Sequence, residues 1–100
     1  MRQPWHPDHT EMISGELTII NRLGLHARAA TRLVNCASVF DSEVRLIKGA
    51  RSVNGKSIMG VLTLAAAKGT ALIVETEGPD AQEAFDAISE LIGNRFEEED

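Results

Sequence analysis

Residues Asn21 to Ala30 read Asn-Arg-Leu-Gly-Leu-His-Ala-Arg-Ala-Ala. His26 stands where a loop gives way to a run of helix formers, and Arg28 follows two residues later. Gly24 lets the backbone turn tightly just ahead of the imidazole. The first N–H groups of a helix have no intrahelical partner and the helix dipole is positive there, so such an end attracts phosphate. The same field favours a neutral, nucleophilic ring. Arg28 can fold back and pair with an anion through two N–H groups at once. A neutral imidazole, the amide groups of Ala27 and Arg28, and a guanidinium within reach are the parts of a phosphohistidine site that takes a phosphoryl group in line. The residues alone leave a plainer alternative open: a histidine that caps a helix or points into water.

Other side chains invite weaker readings. Ser57 precedes a short apolar run, Ile58 to Leu64, and fits an N-cap. His6 and His9 could touch a metal, but two histidines without a third ligand nearby make an incidental pair, and no metal site is expected. Cys36 has no neighbouring base and reads as a small apolar residue facing the interior. Leu25, Ile58 and Met59 lie beside the two polar motifs; their spacing allows either core positions or an exposed docking patch.

These residues need elements to hold them. Leu17, Ile19 and Ile20 around Thr18 indicate a short strand over Glu16–Ile20. Ala30, Leu33, Val34 and Ala37 recur at helical spacing within Ala27–Ser38, with Arg28 and Arg32 off the stripe. Val44 and Leu46 alternate within Glu43–Lys48, and a turn at Gly49-Ala50 leads to a strand over Arg51–Val53. Asn54-Gly55 marks a turn, Ser57–Leu64 a short helix weakened by Gly60, and Lys68-Gly69 the turn before a strand over Ala71–Glu75. After Gly78-Pro79, Asp80 with Glu83 predicts a helix N-terminus. The stripe Ala81, Ala84, Phe85, Ile88, Leu91, Ile92 carries that helix to Gly93-Asn94. The order β-α-β-β-α-β-α favours an α+β fold: a four-stranded antiparallel sheet with three helices on one face and water on the other.

One hundred residues supply a single domain, able to bury roughly two-thirds of its unfolded surface without a metal or disulfide staple. One cysteine excludes an intrachain disulfide framework and suits a reducing compartment. No apolar run approaches the roughly 20 residues that span a bilayer, and the N-terminus lacks a secretory apolar core. The net charge of −5 is unevenly spread. Residues 22–56 hold seven bases against two acids, whereas residues 75–90 hold six acids and no base. The bases are dispersed and the chain has no tyrosine, so an acidic protein partner or a small anion fits them at least as well as nucleic acid. Residues 1–12 read as a flexible extension, and residues 95–100 as a solvated acidic tail.

Gly24-Leu25-His26-Ala27-Arg28 with Ala30 resembles the active-site signature of the histidine-containing phosphocarrier (HPr) family of the phosphoenolpyruvate-dependent phosphotransferase system. Asn54-Gly55-Lys56-Ser57-Ile58-Met59-Gly60-Val61 is similar to that family's regulatory serine region. Two blocks in register, within residues 13–94, make the resemblance specific. It implies an HPr-like open-faced β-sandwich and a cytoplasmic, monomeric, stoichiometric carrier rather than a turnover enzyme, needing no cofactor. It further implies that His26 accepts a phosphoryl group from enzyme I on Nδ1 and passes it to a IIA protein. Arg28 would steady the phosphate, and Ser57 would be phosphorylated by an ATP-dependent HPr kinase. A regulatory binding module of the nitrogen-related branch, acting through contacts alone, is the alternative; a small-ligand sensor would need a pocket that nothing here suggests. The family commonly has proline after the arginine where this chain has Ala29, which keeps an N–H at that position.

Overall fold

The computed structural model describes residues 11–98. The elements run β1 (Glu11–Thr18), α1 (Ala27–Ser38), β2 (Glu43–Lys48), β3 (Arg51–Asn54), α2 (Ile58–Thr63), β4 (Ala71–Gly78) and α3 (Ala81–Gly93), followed by one 3-10 turn at Arg95–Glu97. The four strands form one sheet in the order β1-β4-β2-β3, and every pair is antiparallel. Alternation along β4 sends Leu72, Val74 and Thr76 inward, and along β2 Val44 and Leu46. α3 lies over β1 and β4, and α1 packs between α2 and α3, so the helices cover one face. The other face carries Arg45, which donates to Glu75 (3.1 Å) and Glu77 (2.9 Å) across the strands.

The α1 stripe is the one the spacing predicts, with Ala29 buried beside Ala30, Leu33, Val34 and Ala37. Ala29 is therefore a core residue.

β1 starts earlier than its apolar spacing suggests. It pairs with β4 from Glu11↔Gly78 to Thr18↔Ala71. Gly15 hid the alternation, because its missing side chain is an inward position: a Cβ there would sit 2.7 Å from Phe85 Cζ of α3. Glu11 and Met12, expected in the extension, are thus strand residues; residues 1–10 of it, with His6 and His9, lie outside the described residues.

The tail also departs from expectation. Arg95, Phe96 and Glu97 all have left-handed backbone (φ +56°, +54° and +63°), and Phe96 is fully buried. The sequence reading of a solvated end fails because that one aromatic has a place in the core; residues 99 and 100 lie outside the described residues.

Among the described residues no helix is long and apolar enough to cross a membrane.

Candidate functional site

The loop before α1 is set by close backbone contact with the loop before β4. Gly24 adopts φ +69°, and a Cβ on it would lie 2.5 Å from the Ala66 carbonyl oxygen. Only glycine accepts both the conformation and the approach. Leu25 N–H then donates to the same carbonyl at 2.8 Å. Asn21, fully buried, closes the loop from inside by donating from Nδ2 to Gly24 O at 2.8 Å. These contacts deliver His26 to the N-cap of α1 in extended backbone (φ −76°, ψ −179°).

His26 is half-buried, and both ring nitrogens are engaged. Nδ1 accepts from the Arg28 backbone N–H at 3.3 Å, which caps the helix. Nε2 meets Glu98 Oε2 at 2.5 Å. Ala27 and Arg28 supply the first amide groups of α1. The Arg28 side chain is exposed and lines the same open groove as His26. Its guanidinium has no hydrogen-bond or ion-pair partner among the described residues. Arg22, Arg32, Glu97 and Glu98 complete the groove, which measures about 700 Å³.

Ser57 stands at the other polar motif. Its Oγ accepts from Gly60 N–H at 3.1 Å and caps α2. Beside it, Ile58 and Met59 are exposed, by 40% and 72%. Leu25, grouped with them by sequence position, is only 4% exposed and belongs to the core. The tight Gly24 turn points it inward, so its place in a docking patch is withdrawn. Leu23, which the sequence did not single out, is 55% exposed and borders the His26 groove. Cys36 packs partly against the core, and burial pushes its thiol up, away from nucleophilic use.

The basic stretch is less available than its composition suggests. Arg32 Nη1 donates to Phe96 O, Arg45 is held by glutamates, Lys48 Nζ donates to Leu64 O (2.9 Å) and Lys56 Nζ to Phe40 O (2.7 Å). Both lysines meet backbone carbonyls just past helix C-terminal ends, where cations are favoured. Sequence reasoning also missed Asn21, Arg32, Phe96 and Glu98. The last three are brought to the His26 end through contacts spanning 64, 72 and 77 residues of chain. The one local clue was Phe96, an aromatic set among acids and otherwise out of place in a solvated tail.

Comparison with known proteins bears on this geometry. The family described as the PTS HPr component phosphorylation site matches residues 13–94. The phosphocarrier protein HPr of Cupriavidus necator is 52% identical over 87 residues, covering 87% of this chain and 98% of that protein. The Pseudomonas aeruginosa phosphocarrier protein HPr is 54% identical over 84 residues, covering 83% and 93%. Among solved structures, HPr from Thermoanaerobacter tengcongensis superposes with a TM-score of 0.84 at 39% identity, covering 87% of this chain and 98% of that one.

Proposed function

The chain belongs to the HPr phosphocarrier family of the phosphotransferase system, and on that premise we propose that Nδ1 of His26 is the atom that carries the phosphoryl group. The observation that carries this reading is the placement of His26 at a helix N-cap, with Nδ1 turned toward the Arg28 N–H in the first turn of α1 and, in the same groove, an Arg28 guanidinium that has no partner among the described residues.

The chemistry needs little from the protein beyond position and charge. The Nδ1 lone pair attacks phosphorus in line. The N–P bond forms as the donor's bond to phosphorus breaks, and the donor keeps that electron pair. The phosphoryl oxygens then take over the Arg28 N–H, with the guanidinium supplying a second, charged contact. The reverse displacement passes the group to an acceptor. The chain is consumed and regenerated in stoichiometric steps rather than turning over a substrate of its own.

The donor in this reading is enzyme I charged by phosphoenolpyruvate, and the acceptor is a IIA protein, all in the cytoplasm. Ile58 and Met59, exposed near the second motif, and Leu23 at the groove's edge suit apolar docking contacts. Ser57 is a candidate for regulatory phosphorylation by an HPr kinase. A dianionic group at its position would be tolerated by the start of α2 while repelling an acidic partner. A regulator acting by contact alone would have no use for the His26–Arg28 pair, which favours the carrier.

Incubation with enzyme I and phosphoenolpyruvate should add one acid-labile phosphoryl group, and His26→Ala should abolish it. Labelling that persists in His26→Ala defeats the carrier reading. Incubation with ATP and an HPr kinase should add an acid-stable phosphate that Ser57→Ala removes; no incorporation would leave Ser57 a helix cap only.

A further inference from the structure

The backbone beyond α3 does something the last four acidic residues do not require of it. Three consecutive non-glycine residues, Arg95, Phe96 and Glu97, adopt left-handed conformations that side chains disfavour. The turn is held by the burial of Phe96, by Arg32 donating to Phe96 O, and by Glu98 N–H donating to Arg95 O at 3.0 Å. Its result is to reverse the chain and set the Glu98 carboxylate against the imidazole. Glu98 Oε1 accepts from Asn21 Nδ2 at 2.9 Å while Oε2 meets His26 Nε2 at 2.5 Å. Asn21 is fully buried and also holds Gly24 O, so the same amide fixes both the loop carrying His26 and the carboxylate facing it.

We propose that Glu98 is a positioning residue for phosphoryl transfer: its carboxylate holds the proton on Nε2 of His26, so that Nδ1 presents its lone pair to phosphorus. The inference rests on His26 being the phosphoryl acceptor. The geometry leaves one tautomer. Nδ1 faces a donor, the Arg28 N–H, and so must accept. Nε2 faces a carboxylate oxygen, which only accepts, and so must donate. A neutral ring satisfies both neighbours only with its hydrogen on Nε2.

The same proton matters in both directions of transfer. When Nδ1 attacks, the N–P bond forms, the donor leaves with its electron pair, and the ring becomes cationic. The Nε2–H end of that cation faces the Glu98 carboxylate. When an acceptor attacks phosphorus, the N–P bond breaks and its pair returns to Nδ1. With the Nε2 proton retained, the leaving group is a neutral imidazole; without it, an imidazolate would have to leave. Glu98 touches neither phosphorus nor its oxygens and acts only through the ring. Its charge also faces the incoming phosphoryl group, and Arg22, Arg28 and Arg32 around the same groove, with Glu97 beside it, set the surrounding field.

The test uses the full chain labelled with ¹⁵N, with Glu98→Ala and Glu98→Gln. At about pH 8.5 the wild-type His26 ring should show an acceptor-type Nδ1 and a protonated Nε2 with a slowly exchanging hydrogen. Glu98→Gln keeps an acceptor oxygen and the turn, so the tautomer should persist while the charge is lost. Glu98→Ala should lose the slow Nε2–H signal. Onward transfer from phosphorylated protein to a IIA acceptor should slow by roughly tenfold in Glu98→Ala, the effect growing as pH rises, with Glu98→Gln between the two. Unchanged ring signals and an unchanged pH profile of transfer in both variants would overturn the proposal. Labelling of His26→Ala would instead defeat the carrier reading, and the ring spectra of the unphosphorylated protein are read independently of that result.

Discussion

His26 and Ser57 hold the same structural post in two different helices: each is an N-cap residue and each accepts a backbone N–H through its side chain, at 3.3 Å from Arg28 and 3.1 Å from Gly60. They differ in what else reaches them. Ser57 is served by residues three positions away. His26 is gripped on its far side by Glu98, brought from the other end of the chain by a buried phenylalanine and a left-handed turn. A helix cap can be built locally, whereas a ring that must present one chosen nitrogen needs a second contact, and no nearby residue supplies it here.

The comparison is broken most directly at Phe96. Phe96→Ala removes a fully buried aromatic and should cost about 3 kcal/mol or more by denaturant unfolding. Its second effect is the informative one. The contact between Glu98 and His26 should be lost, altering the His26 ring signals, while the Ser57 cap and phosphorylation at Ser57 by an HPr kinase should be untouched. Equal disturbance of both sites would show that the tail supports the whole core rather than one end of it.

Arg28→Ala separates chemistry from stability at the His26 end. The guanidinium is exposed and has no partner among the described residues, so melting should scarcely change. Phosphoryl transfer should fall by roughly tenfold to a hundredfold, the loss of one charge-assisted contact to the transferring group. A collapsed melting temperature with transfer intact would reassign Arg28 to the fold. Ser57→Ala is the counterpart and should cost about 1 kcal/mol, the usual worth of a cap, with transfer through His26 preserved.

What could be read in the sequence follows the same division. The limits of α1, the α2 cap, β2 and the α3 stripe are written in residues within a turn or two of one another, and they were legible. So were the positions of His26, Arg28 and Ser57 at helix starts, because each sits in a short block with its own local logic. The start of β1 was obscured by Gly15, whose meaning lies in Phe85 on a helix 70 residues later. Leu25 could not be sorted from Ile58 and Met59 by spacing, since only the close approach of Gly24 to Ala66 turns it inward. Glu98 was hidden among like charges. Nothing in a run of acids says which carboxylate will be folded back, and the three residues that turn it are ones that normally avoid left-handed backbone.

Asp80 gives the smallest expected effect and a third variant of the same theme. With Glu83 three residues on, it reads as a side-chain cap for α3, yet its carboxylate makes no such bond to its own helix. It reaches instead to the loop before β2, accepting from Asp41 N–H (3.0 Å), Ser42 N–H (2.9 Å) and Ser42 Oγ–H (2.5 Å). The Ser42 hydroxyl, followed by the Asp41 amide, holds the Asp80 carboxyl below the usual carboxylate range. A carboxyl depressed on folding binds its proton less readily in the native state than in the unfolded one. Its contribution to stability is therefore present above the unfolded value of about 4 and lost as pH falls through the lower, folded value. Asp80→Asn keeps one acceptor oxygen but no charge, so it should melt below wild type at neutral pH. The two melting temperatures should converge as the solution is acidified below about pH 4, where protonation removes the same charge from the wild type. A gap that stays constant over that range would mean that Asp80 works here as a neutral hydrogen-bond acceptor, its charge contributing nothing to the junction between α3 and β2.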